Sequence, residues 1–145
     1  KQNNKLPLIH SLMAVFDVET GVPKALMDGD VLTSKRTGAS SGAATDLLAD
    51  SDASEVAILG SGNQARTQLE AVCCVRGIRT ARVYSPDQDH AERFAAELSG
   101  HGKITDNIQA VHSAAEAVRG ATSSVPLPLR THRCLNSKTS NPELT

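Results

Sequence analysis

The stretch "SEVAILGSGNQARTQLEAV", Ser54–Val72, runs from a continuous apolar segment through a glycine-rich turn into a segment of helical character. "EVAILG" has the length and composition of a strand buried on both faces, as at the centre of a parallel sheet. A helix is expected to follow from about Asn63 to Val75. At the junction Gly60, Gly62 and Ala65 form GxGxxA. In that context the first glycine permits the tight turn and the second removes a side chain that would obstruct a pyrophosphate. Ala65 lets helix and strand pack closely. Free N–H groups of the helix's first turn would then face the anion. The same pattern also serves as a plain glycine turn, and the motif alone does not decide between the two.

Outward from the motif, "TARVYS", Thr80–Ser85, reads as a second strand and "DQDHAERFAAEL" as a second amphipathic helix. "NIQAV" is a third strand leading into the helical "SAAEAVRG". The order β, α, β, α, β, α with right-handed crossovers predicts an α/β fold with a parallel sheet, the first half of a Rossmann domain, over residues 54–121. Upstream, "LIHSLMAVFDV", Leu8–Val18, reaches the turn "ETGVP" and returns as "KALMD", a β-hairpin within residues 1–30. Asp30 is placed to cap a connecting helix in residues 31–53, with Leu32, Ala39, Ala43 and Leu47 at helical spacing. Gly38 and Gly42 weaken that helix, yet its Gly, Ala and Ser content permits close approach of another backbone.

The end of the second strand is where an acid binds a ribose 2′-hydroxyl, or a small residue with a nearby Arg admits a 2′-phosphate. That position is Ser85. Asp87 lies two residues on, with no Arg adjacent, and suits equally the cap of the next helix, so NAD and NADP both stay open.

Composition narrows the classes. With 2% aromatic residues in 145, the core must be built from Ala, Val, Leu and Ile and is thin. A formal charge of −1 with interspersed signs gives no footprint for nucleic acid or an anionic membrane. No apolar run approaches the roughly 18 to 20 residues that cross a bilayer, and a cytoplasmic protein is expected. Cys73, Cys74 and Cys134 form no paired motif, and His10, His90, His101, His112 and His132 show no metal-ligand spacing. Structural thiols, solvated histidines and no metal site are the reading.

Two longer stretches carry a resemblance. "FDVETGVPKALMDGDVLTSKRTGASSGAATDLLA" followed by "AILGSGNQARTQLEAVCCVRGIRTARVYS" closely resembles the ornithine cyclodeaminase and mu-crystallin family, over Leu6–Ala121. The resemblance implies a dimerising substrate domain joined to a Rossmann domain, with the active site in the cleft between them. It implies NAD(P) as cofactor and a small amino acid or cyclic imine as substrate. Its members include ornithine cyclodeaminases, ketimine and pyrroline-carboxylate reductases and some alanine dehydrogenases. It places Arg36 at the cleft, where a guanidinium fork suits an anionic oxygen pair, and sets Asn63 and Gln64 with Gly60 and Gly62 around the cofactor phosphates. The family's substrate lysine and catalytic aspartate have no counterpart in these residues, so no catalytic residue is assigned. The chain reads as part of such an enzyme, inactive by itself. The alternatives are a mu-crystallin-like binding protein without catalysis and a remnant without function.

Beyond Gly120 the periodicity stops, and "ATSSVPLPLRTHRCLNSKTSNPELT" carries three of the six prolines, which argues against a central strand. Restoring one lost nucleotide near Ala121 lets permitted codons turn "ATSSVPLPLRTHRCLNS" into "ADIVCTATPSHTPVFEF", an acid-led apolar run followed by turn residues, as a fourth Rossmann strand reads. Residues 122–145 are therefore expected to be a frameshifted translation, from a damaged gene or a sequencing error. The underlying DNA checks this: a single-base insertion should restore the family frame, and its failure to do so removes the idea.

Overall fold

The computed structural model describes residues 10–119, 121, 123 and 124. A two-stranded antiparallel hairpin, β1 (Leu12–Phe16) and β2 (Pro23–Asp28), precedes a long helix α1 (Gly29–Leu48). Then β3 (Glu55–Leu59), α2 (Asn63–Val75), β4 (Thr80–Tyr84), α3 (Gln88–Leu98), β5 (Ile108–Val111) and α4 (Ala114–Val118) follow, with a short β6 (Ser123–Ser124). β3, β4 and β5 are parallel, with Leu59 opposite Tyr84 and Tyr84 opposite Val111. The parallel βαβαβ arrangement and the hairpin expected from the sequence are both present.

The strand order is β5-β4-β3-β6. Ser123 and Ser124 pair with Val56 and Ala57 at the edge of the described sheet, an edge position that the expectation against a central strand leaves open. The ladder needs only backbone groups, which Ser123 and Ser124 supply. The remainder of the expected frameshifted tail lies outside the described residues.

Alternation along the strands divides the core. Val56 and Ile58 of β3, with Ala81 and Val83 of β4, face α2 and α3 and pack with Leu69, Val72 and Phe94. Ala57 and Leu59 face the other way, where Tyr84, Val111 and Ala117 form a much smaller cluster. Arg82, on that second face, bonds the Glu55 carboxylate at 2.9 Å and the Arg119 carbonyl at 3.0 Å.

α1 packs on α2 through small residues. Its buried positions are Gly29, Gly38, Gly42 and Thr45, whereas Ala39, Ala43 and Leu47, which share helical spacing with Leu32, are exposed and Leu32 is half-buried. A Cβ at Gly38 would lie 2.6 Å from the Thr67 carbonyl oxygen, and one at Gly42 would lie 3.1 Å from the Ala71 Cβ. Contact between backbones replaces an apolar stripe. The N-cap of α1 is Asp28, whose carboxylate accepts from the N–H of Asp30 and Val31; Asp30, expected as the cap, instead accepts from the Ser11 hydroxyl. The two candidates stand two positions apart, and Asp30 lies inside the helix that its cap must precede.

At the other end of α1, where the last turn has no basic residue, Arg76 from the end of α2 supplies the missing donors. Its guanidinium donates to the carbonyls of Thr45, Asp46, Ala49 and Asp50 and to the Asp46 carboxylate. The orphan carbonyls of a helix terminus are thereby paired from a neighbouring element.

The hairpin projects from this body with both faces open: Leu12, Phe16, Val18, Val22 and Leu26 are all exposed. Its turn is ordered by Asp17, which accepts from the N–H groups of Glu19 and Thr20 and pairs with Lys24. The Lys24 ammonium, aided by these donors, lowers the Asp17 carboxyl to about 2. Among the described residues no helix is long and apolar enough to cross a membrane.

The packing predicts opposite outcomes for two similar substitutions. Gly38→Ala should destabilise by about 1–3 kcal/mol, because backbone must move to admit the methyl group. Gly42→Ala should be near neutral, since the contact is looser and alanine gains up to about 1 kcal/mol of helix propensity. Denaturant midpoints of the two variants check this, and a Gly38→Ala chain as stable as its parent would remove the close-contact argument.

Candidate functional site

The turn between β3 and α2 begins at Gly60, whose φ of +117° lies in a region that L side chains rarely adopt. Its N–H donates to the Tyr84 carbonyl at 2.7 Å, so the turn is fastened to the end of the neighbouring strand. This fastening was not foreseen from the sequence, since a backbone bond leaves no residue signature. Among the described residues a Cβ at Gly60 or at Gly62 would find nothing within 4 Å. No described residue packs against either glycine, and among the described residues both leave open space beside the turn.

Gly62 is the N-cap of α2, and no side chain caps this helix. Each of the other three described helices has such a cap: Asp28 for α1, Asp87 for α3 and Ser113 for α4. The first turn of α2 also has no acidic residue. Asn63 and Gln64 are exposed there. Among the described residues no protein anion lies against these backbone N–H groups or the positive end of the helix dipole. The sequence did carry a signal for this, since Asp or Ser precedes the other three helices and glycine precedes this one.

The site lies at the carboxyl end of β3, where the strand order reverses between β3 and β6. Open α/β sheets bind ligands at such a crevice. Ser85 follows β4, is 8% exposed, and comes next to the Tyr84 carbonyl that holds Gly60, so the structure brings Ser85 and the glycine turn together. Asp87 takes the role of helix cap: its carboxylate accepts from the His90 N–H at 3.4 Å. Arg36 is exposed on α1, and among the described residues no hydrogen bond or ion pair joins it to the glycine turn. Its neighbours Ser34 and Lys35 do reach α2, through the Thr67 hydroxyl and the Glu70 carboxylate.

Two polar groups of α2 point inward. Burial pushes the Cys73 thiol up, which keeps it protonated and fits a structural role. Gln68 is 2% exposed, and its Oε1 has no partner among the described residues.

These features suit a dianionic group carried on a small molecule: an uncapped helix start, glycines flanking it and a strand end for the adjoining portion. The open seat predicts a trade between stability and binding. Gly62→Asp should place a capping carboxylate on α2 and raise stability by a few tenths of a kcal/mol, while abolishing the thermal shift given by inorganic pyrophosphate. Retention of that shift in the variant would show that the anion binds elsewhere.

Residues 1–126 match the Ornithine cyclodeaminase/mu-crystallin family. The match passes Ala121, where the resemblance was expected to end, by five residues. The chain is 43% identical to Delta(1)-pyrroline-2-carboxylate reductase of Thermococcus litoralis, solved with NADH and L-proline, with a TM-score of 0.78 over 83% of this chain and 37% of that one. It is 36% identical to an archaeal alanine dehydrogenase dimer with bound NAD, with a TM-score of 0.65 over 73% of this chain and 33% of the other. Ketimine reductase mu-crystallin of Rattus norvegicus is 31% identical over 133 residues, which are 92% of this chain and 41% of the rat protein. The chain spans well under half the length of each.

Proposed function

Because the chain belongs to the ornithine cyclodeaminase/mu-crystallin family, we propose that it supplies the cofactor half of an NAD(P)-dependent enzyme of amino-acid metabolism. Such an enzyme reduces cyclic imines such as pyrroline-2-carboxylate, or deaminates and cyclises amino acids such as ornithine. The observation that carries this reading is the uncapped start of α2 beside two glycines that open onto empty space.

The residues present fit a dinucleotide. Gly60 and Gly62 give the diphosphate room, and the N–H groups at Asn63 and Gln64 donate to it. Ser85 stands on the ribose side. When bound, the nicotinamide accepts a hydride from an amino-acid carbon or delivers one to a C=N bond. Arg36, exposed and without an ion pair among the described residues, offers its fork to a substrate carboxylate. Residues 1–30 belong to a substrate and dimerisation domain, residues 31–53 connect it, and residues 54–121 form the first Rossmann half. The exposed apolar faces of the hairpin suit pairing in a homodimer. The setting proposed is cytoplasmic, the reaction that of an oxidoreductase, or of a lyase where a ring closes with loss of ammonia.

A dinucleotide lies across two mononucleotide halves, and β3, α2 and β4 make the one that holds the adenosine side. The 145-residue chain is therefore expected to bind ADP-ribose saturably in calorimetric titration. It is expected to show no turnover of pyrroline-2-carboxylate with NADH or NADPH, nor of ornithine with NAD. Absence of ADP-ribose binding would overturn the cofactor reading, and turnover would overturn the assignment of catalysis to residues beyond these.

A further inference from the structure

The coenzyme's 2′ position divides NAD from NADP, and the structure bears on the choice. This inference rests on the cofactor reading above. With the diphosphate at α2, the adenosine ribose extends toward the neighbouring strand end, since Leu59 is paired with Tyr84 and Gly60 is bonded to the Tyr84 carbonyl. What it meets is the turn from β4 into α3, "SPDQDHAE", Ser85–Glu92. That turn holds the carboxylates Asp87, Asp89 and Glu92 and neither Lys nor Arg.

The one basic side chain in it, His90, is already oriented on an acid, with its Nε2 3.7 Å from an Asp87 oxygen. Arg93, the next cation along α3, turns its Nε to the Asp89 carbonyl. The helix start that might otherwise attract a phosphate is filled, because Asp87 occupies the capping position and accepts from the His90 N–H. Ser85 is small and has no side-chain hydrogen bond among the described residues, so its hydroxyl is available to a sugar hydroxyl.

We propose that Asp87 makes this site select a ribose 2′-hydroxyl and reject a 2′-phosphate, so that the enzyme uses NAD rather than NADP. A 2′-phosphate brings a charge of about −1.5 to −2 to a turn whose anion seat already holds a carboxylate. A 2′-hydroxyl instead donates a hydrogen bond to the Asp87 oxygen that is not engaged in capping. The acid does two tasks from one position, capping the helix and reading the sugar.

Titration of the 145-residue chain with ADP-ribose and with 2′-phospho-ADP-ribose tests this. ADP-ribose should bind at least about tenfold more tightly at low salt, with the gap narrowing as salt rises. Asp87→Asn, which caps a helix about as well as aspartate, should keep the fold and shrink the preference to within about threefold. Equal or tighter binding of the 2′-phosphorylated ligand overturns the preference while leaving the cofactor reading intact. An unchanged ratio in Asp87→Asn removes Asp87 as its cause, and failure of both ligands to bind overturns the cofactor reading and the preference together.

Discussion

The contact of Gly38 with the Thr67 backbone fixes how the long helix lies on the sheet domain, and the other positions in the molecule follow from it. At that separation no methyl group fits, so the α1–α2 interface is set by two backbones rather than by interlocking apolar side chains. Backbone contact tolerates little sliding. Arg76 then closes the same interface at its far end by pairing the last carbonyls of α1, and the Thr67 hydroxyl bonds Ser34 near the start. A hairpin with few contacts of its own is thereby carried at a fixed place relative to the glycine turn.

The turn itself shows where local stability has been surrendered. Three helices begin with a side chain on their free N–H groups, and the one that follows the glycines does not. A side-chain cap is worth about a few tenths of a kcal/mol over glycine, and without it α2 draws its order from its packed face, from Leu69 and Val72 against the sheet. Places where a sequence departs from good local practice while the surrounding fold is sound are places to look for a ligand. The family match and the geometry meet at this one departure.

Much of the sheet domain was legible because its elements depend on neighbours close in sequence. The α2 boundaries, Asn63 and Val75, follow from a glycine at one end and the break at Arg76–Gly77 at the other. Asp87 as a cap follows from the amphipathic pattern behind it. The close approach along α1 was legible in its Gly, Ala and Ser content, whereas the helical spacing of Leu32, Ala39, Ala43 and Leu47 did not mark the buried positions, three of which are glycines. Arg76 was not foreseen for a similar reason: its acceptors are backbone carbonyls about thirty residues away, and these have no sequence signature. The pairing of Ser123 and Ser124 had no sequence signal, because an edge ladder of two residues needs only backbone groups. At the site, the glycines and Ser85 were legible, whereas the seat's emptiness needed coordinates that show what a Cβ would meet.

The scarcity of aromatic residues has a practical side. Tyr84 is the one tyrosine in a chain with no tryptophan, and its carbonyl is the group that anchors Gly60. Apart from two weakly emitting phenylalanines, near-ultraviolet emission from this protein therefore comes from one tyrosine, on the strand that borders the crevice. Nature has left an intrinsic optical reporter there, and occupancy of the crevice can be followed by light without attaching a dye.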